Sequence, residues 1–236
     1  MARILVVVPP FAGHVNPTVT LGAELARRGH EVAWAGPAAG VAQLLIDGQT
    51  LYDTNPEIDR DALAAMVAAN AGQRGLIAFK GLWEQVLLPL AGTMLDGVER
   101  AVHAFAPHLV IADQQAFAGA VVATRRGLPW VSSATTSAEM TDPLSELPRV
   151  RERIREALVA FQRMAGIPRE VAANTDPRCS PLLTVAFTTR QLVGPRLAWP
   201  NPVCFVGPAM ADRVELDDFP WEWLDEERHL VLVTLG

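Results

Sequence analysis

Short apolar runs alternate with longer segments of helical periodicity through most of the chain. Runs of β-branched residues without alternation are typical of strands that are covered on both faces of a parallel sheet. The pattern predicts strands over 4–8, 31–35, 50–52, 108–112, 129–133, 182–187 and 203–206. It predicts helices over 17–28, 60–71, 76–105, 114–126 and 149–165, with Asn16 capping the first helix, Pro17 opening it and Pro89 kinking the third.

This order of elements predicts an α/β fold, a doubly wound and mainly parallel sheet with helices on both faces, like a Rossmann domain. We expect the first five strands to lie in the order 3-2-1-4-5. The folded domain is predicted over 1–210. An acidic segment with proline and tryptophan, 211–228, is predicted as a connector. The apolar segment 229–236 is predicted as the first strand of a further domain that the sequence does not contain.

Half of the residues are apolar, 19% are charged and the net charge is -6 without a cluster of lysine and arginine. Nucleic acids and anionic membranes are therefore not expected as partners, because both require concentrated positive charge. The N-terminal apolar run is too short for a signal peptide and no run suits a membrane span, so we expect a cytoplasmic protein. Cys179 and Cys204 have no zinc or disulfide spacing, and no metal is expected.

His14 and Asp113 are the first candidates for catalysis, because each follows a predicted central strand at the carboxyl edge of the sheet. Adjacent strands lie about 5 Å apart, so the two side chains can meet. A carboxylate bonded to one imidazole nitrogen leaves the other free to remove a proton from a hydroxyl. The sequence leaves simpler alternatives open: His14 as a loop residue bonded to the backbone, and Asp113 as a helix cap.

The loop after the first strand lacks the glycine-rich fingerprint of dinucleotide-binding proteins, since Pro9, Pro10 and Phe11 occupy it. A bound NAD or FAD cofactor is therefore not expected. This counts against a doubly wound dehydrogenase, the third class that the fold would allow.

Several stretches resemble the family 1 glycosyltransferases of the two-domain GT-B fold, and within them the bacterial macrolide and antibiotic enzymes. The stretches are FAGHVNP at 11–17, RGHEV at 28–32, PHLVIAD at 107–113, FVGP at 205–208 and VLVTLG at 231–236. The resemblance extends over nearly the whole chain and is weakest at 38–106. It implies the N-terminal, acceptor-binding half of such an enzyme. The family's donor signature, found in the second domain, is absent from the sequence.

The resemblance implies an inverting transfer of a sugar from a UDP- or dTDP-linked donor to a hydroxyl of a hydrophobic natural product, as in antibiotic biosynthesis. His14 would be the base and Asp113 its partner. No cofactor is implied, and the chain is expected to be inactive alone. The predicted substrate-binding residues are Phe11, Gly13, Phe79, Trp83, Val86, Thr135, Thr136 and Met140. Core packing is the alternative for Phe79 and Trp83, and a non-catalytic binding module or a subunit of a split enzyme is the alternative for the chain.

Overall fold

A parallel sheet forms the centre of the molecule. The computed structural model describes residues 1–68, 72–141, 144–195, 202–209, 220–224, 229–231 and 233. Its strands are β1 (Arg3–Val7), β2 (Glu31–Gly36), β3 (Thr50–Asp53), β4 (Leu109–Asp113), β5 (Trp130–Ala134), β6 (Thr184–Ala186) and β7 (Val203–Phe205). They lie in the order β3-β2-β1-β4-β5-β6-β7, and every neighbouring pair is parallel. The predicted α/β class and the 3-2-1-4-5 order are confirmed.

Helices cover both faces of this sheet. They are α1 (Ala12–Arg27), α2 (Ala38–Val41), α3 (Arg60–Ala68), α4 (Gly75–Gly81), α5 (Leu88–Phe105), α6 (Phe117–Arg126), α7 (Pro148–Met164), α8 (Arg169–Asn174) and α9 (Arg190–Val193). Successive residues of a strand point to opposite faces, so Leu5 and Val7 pack with α5 and α6 while Val6 packs with α1. Burying each such side chain contributes about 1.5–3 kcal/mol. The continuous apolar runs of the sequence therefore reflect a sheet that is buried on both sides.

The first helix begins earlier than the sequence predicts. It starts at Ala12, where the backbone N–H groups of His14 and Val15 donate to the Phe11 carbonyl at 2.9 and 3.0 Å, and Pro17 lies inside it. The capping prediction at Asn16 is wrong because local capping rules do not decide this helix start. No side chain caps the helix, while Val15 is wholly buried in the core and His14 is held by a tertiary contact. His14 is thus a residue of the first helical turn.

The long helix predicted over 76–105 is three segments. A π-helical stretch, Leu82–Leu87, separates α4 from α5, and Pro89 is the second residue of α5. Proline has no N–H to donate to the preceding turn, which suits the point where the helix changes its hydrogen-bonding pattern. The helix changes its type just before Pro89, and the kink predicted at this residue stays a prediction.

An ion-pair cluster joins α5 to α6. Glu99 accepts from Arg125 at 2.5 Å and also pairs with Arg126. Partial burial alone would raise the pKa of Glu99, but hydrogen bonds from Arg126 and Arg125 outweigh it and hold the pKa below its usual range.

The predicted connector and final strand are described only in part. Within 211–228 the structure describes residues 220–224, with a 3-10 turn at Trp221–Trp223. Within 229–236 it describes 229–231 and 233; these residues form no strand, and the side chains of Leu230, Val231 and Val233 are exposed. The domain boundaries stay predictions.

Candidate active site

The imidazole of His14 lies at the carboxyl edge of the sheet, between the ends of β1 and β4. These two strands are paired, with Val7 opposite Ala112. His14 Nδ1 lies 2.8 Å from Oδ1 of Asp113, the last residue of β4. The Asp113 side chain is completely buried, and 8% of His14 is exposed. The expected contact is therefore confirmed, whereas a catalytic role for the pair stays a prediction.

Asp113 holds a second donor besides the imidazole. Its Oδ1 accepts the backbone N–H of Gln115 at 2.9 Å, in the loop before α6. The cap residue of α6 is Ala116, so Asp113 does not cap that helix. In the part of the chain that the structure describes, Asp113 Oδ2 is buried without a hydrogen-bond partner. The carboxylate thus fixes a loop and a ring at the same time.

Thr135 approaches the same imidazole nitrogen from the next strand. Its Oγ1 lies 2.9 Å from His14 Nδ1, and the residue follows directly after β5. One oxygen at the end of β4 and one in the loop after β5 therefore share Nδ1. Among the described residues no hydrogen bond engages Nε2, so that nitrogen is left for a ligand.

Gln114 ties the loops of this site together, and sequence reasoning did not single it out. Its Nε2 donates to Thr136 Oγ1 at 3.2 Å, and its backbone N–H donates to the Ser133 carbonyl at 3.0 Å. The side chain is almost completely buried. The signal available in the sequence was the position of this amide directly after a candidate carboxylate at the end of a predicted strand.

A cleft opens on the other side of Phe11. The Phe11 ring contacts the His14 ring edge-on, with centroids 6.0 Å apart. The cleft has a volume of about 490 Å³, within the usual range of ligand sites, roughly 300–1,000 Å³. Its walls come from the loop after β1, α2 and α3, and include Pro10, Phe11, Ala12, Gly40, Arg60 and Leu63. Gly13 is exposed in the same first turn, and an added Cβ there would meet no atom within 4 Å.

The other predicted substrate-binding residues are mostly buried. Trp83 and Val86 have 4% and 3% exposure, and Met140 has none. Trp83 stacks on Phe117 with centroids 5.5 Å apart, in a cluster between the π-helical stretch, α6 and α7. Phe79 is half-buried and lines a small cavity of about 60 Å³ with Trp83, far below the size of a natural-product ligand. This geometry favours packing for Trp83, and ligand contact by these residues stays a prediction.

Among the described residues, no group of three or more His, Cys, Asp or Glu side chains is placed to hold a metal ion. No helix in that part of the chain is long and apolar enough to cross a membrane.

The fold matches that of known glycosyltransferases. The crystal structure of the calicheamicin glycosyltransferase CalG4 matches with a TM-score of 0.63 at 22% identity, covering 88% of this chain and 53% of that one. The spinosyn rhamnosyltransferase SpnG complexed with thymidine diphosphate matches with a TM-score of 0.55 at 23% identity, covering 86% and 50%. These likenesses show the fold.

The sequence relatives point to the same class. 4'-Demethylrebeccamycin synthase of Lentzea aerocolonigenes is 28% identical over 270 residues, covering 100% of this chain and 63% of the relative. The oleandomycin glycosyltransferase of Streptomyces antibioticus is 27% identical over 241 residues, covering 95% and 52%. No protein-family model matches the chain. The chain spans about half the length of the curated relatives it matches. The resemblance to antibiotic glycosyltransferases with the GT-B fold is confirmed.

Proposed function

We propose that this chain is the acceptor-binding and general-base half of an inverting glycosyltransferase. The donor is a UDP- or dTDP-linked sugar, and the acceptor is a hydroxyl of a hydrophobic natural product. The relatives are glycosyltransferases named for such products, and SpnG is a structural neighbour complexed with thymidine diphosphate. The chain acts in the cytoplasm in this proposal.

The contact between His14 and Asp113 carries the proposal. The 2.8 Å bond engages Nδ1, so the only ring nitrogen that remains to accept a proton is Nε2. A buried carboxylate behind an imidazole stabilises the positive ring that forms when the base takes up a proton. The cleft beside Phe11 offers an apolar surface of suitable size next to this base.

The proposed reaction is a single displacement. Nε2 of His14 accepts the proton of the acceptor hydroxyl, and the oxygen forms a bond to the anomeric carbon of the donor. The bond between that carbon and the diphosphate oxygen breaks, and its electron pair leaves with the nucleotide diphosphate. Attack from the face opposite to the leaving group inverts the anomeric configuration. Asp113 accepts the hydrogen bond from Nδ1–H throughout and so keeps the ring in place.

Transfer also requires a donor site that this proposal assigns to a second domain. Holding the reacting atoms about 3–3.5 Å apart contributes roughly 7–11 kcal/mol to catalysis. We therefore expect the chain alone to bind acceptors without transferring sugar.

The test measures glycoside formation by mass spectrometry with UDP-glucose and dTDP-sugars and a panel of macrolide and aromatic polyketide acceptors. The chain is assayed alone and fused to the donor-binding half of the oleandomycin glycosyltransferase. His14→Ala and Asp113→Asn should each lower turnover of the fusion by about 10²–10⁴-fold, the usual effect of losing a positioned base. His103→Ala, which removes an exposed histidine of α5, is the matched control and should leave turnover unchanged.

Near-normal turnover of the His14→Ala fusion with a poorly acidic alcohol would remove this residue from the mechanism. Efficient transfer by the chain alone would contradict the proposed division of labour. Acceptor binding by the chain without transfer by any fusion would favour the binding module instead.

A further inference from the structure

Two oxygens lie within hydrogen-bonding distance of His14 Nδ1, and this nitrogen can supply only one proton to them. Asp113 Oδ1 lies 2.8 Å and Thr135 Oγ1 lies 2.9 Å from this nitrogen. An imidazole nitrogen carries at most one proton, and a carboxylate only accepts hydrogen bonds, so the Nδ1–H must serve Asp113. The Thr135 hydroxyl is therefore a second acceptor of the same N–H and directs its own hydrogen away from the ring.

The second contact restricts a motion that the first one allows. With Asp113 alone, the ring is attached at one point, and side-chain torsions of the histidine can still tilt Nε2. Thr135 approaches from the loop after β5, whereas Asp113 ends β4, so the ring is held from two strands. Edge contact with Phe11 limits the ring further.

Thr135 is itself held in place by its neighbours. The next residue, Thr136, accepts from Gln114 at 3.2 Å, and Gln114 follows Asp113 in the chain. The two loops are thus joined twice, once through the imidazole and once through the glutamine. This double connection fixes the distance between the two oxygens that share Nδ1.

We infer that Thr135 is a positioning residue, whose hydroxyl works with Asp113 to orient the His14 imidazole. The resemblance implies substrate binding for this residue, and the geometry adds contact with the base. The claim that Thr135 orients the ring does not depend on any reaction. Its effect on sugar transfer rests on the proposed function.

The test observes the ring directly and needs no substrate. The 236-residue chain is prepared with ¹⁵N-labelled histidine, and the signals of His14 are identified from their loss in His14→Gln. The measured quantity is the rate at which the Nδ1 proton exchanges with water. Loss of one hydrogen bond corresponds to roughly a 2- to 10-fold change in population, so Thr135→Val should speed exchange by about that factor. Thr135→Ser keeps the hydroxyl and should match the unaltered chain.

Wild-type exchange in Thr135→Val would overturn the inference. Equal acceleration in the valine and serine variants would also overturn it, because the methyl group rather than the hydroxyl would then matter. Signals of the remaining histidines report whether each variant is folded, and Thr135→Ala replaces the valine variant if that one does not fold. Thr93→Val, which removes a threonine hydroxyl that donates to the α5 backbone carbonyl of Leu90, is the control and should leave exchange unchanged.

Transfer by the fusion supplies a second measurement. A positioning role predicts that Thr135→Val lowers kcat with little change in KM and that Thr135→Ser restores kcat. A rise in KM alone would identify Thr135 as a substrate contact and overturn the positioning role. Absence of transfer in every fusion would refute the proposed function and leave the proton-exchange result intact.

Discussion

Replacing Trp83 with alanine should lower the free energy of unfolding without removing a ligand contact. The indole is 4% exposed, lies nearly parallel to Phe117 at an interplanar angle of 13°, and carries the Arg178 guanidinium 5.5 Å above its ring. Large-to-small changes of buried aromatic residues cost about 3–5 kcal/mol, since both the burial and the packing are lost. The aromatic stacking itself contributes about 0.5–1.5 kcal/mol of stability.

Trp223 provides a matched control because the same substitution there removes a side chain that is 79% exposed. Equilibrium urea unfolding of both variants gives the free energies of unfolding. We expect a loss of about 3–5 kcal/mol for Trp83→Ala and less than about 0.5 kcal/mol for Trp223→Ala. Because about 2–4 °C of Tm accompanies each kcal/mol in a chain of this size, the first loss corresponds to roughly 6–20 °C.

A different outcome would refute this reasoning. If Trp83→Ala had the same unfolding midpoint as Trp223→Ala but lost affinity for every acceptor tested, the indole would be a ligand contact. The small cavity beside it would then have to open when the ligand binds. Isothermal titration at a temperature where both variants are folded separates these outcomes.

Two further predictions concern stability. A Cβ at Gly97 would overlap the backbone of Thr54, so Gly97→Ala should cost about 1–3 kcal/mol or more, whereas Gly92→Ala, on the same helix with open space around it, should be neutral or stabilising by thermal unfolding. Glu99→Gln should cost about 0.5–1 kcal/mol at pH 7. The pKa of Glu99 is lowered in the folded protein, so this stability is fully present above the unfolded pKa of about 4.5 and is lost progressively as the pH falls from there through the lower folded-state pKa. The argument for Glu99 would be contradicted if Glu99→Gln lost the same free energy of unfolding at every pH from 7 to 3. The argument for the glycines would be contradicted if Gly92→Ala were destabilised.

The sheet and the catalytic candidates were predictable because they depend on local apolar runs and on one topological rule. The runs define the strands, and parallel order brings the carboxyl ends of β1 and β4 together, which places His14 near Asp113. The start of α1 was not predictable from capping rules, since tertiary packing determines it. Helical spacing likewise places Trp83 on the apolar face of a helix but does not reveal which neighbour that face contacts. The Thr135 contact depends on a loop geometry that no local pattern encodes.

The position of the site explains why a polar pair is retained inside an apolar sheet. From β1 the chain leaves through α1 on one face of the sheet, and from β4 it leaves through α6 on the other, so the loops at these adjacent strand ends diverge. A buried polar pair is a poor device for stabilising a core, because removing polar groups from water offsets much of their attraction. Burying a carboxylate behind an imidazole therefore costs stability. That cost is understandable if the outward nitrogen of the ring must accept a proton in a fixed direction, which is the role proposed for His14.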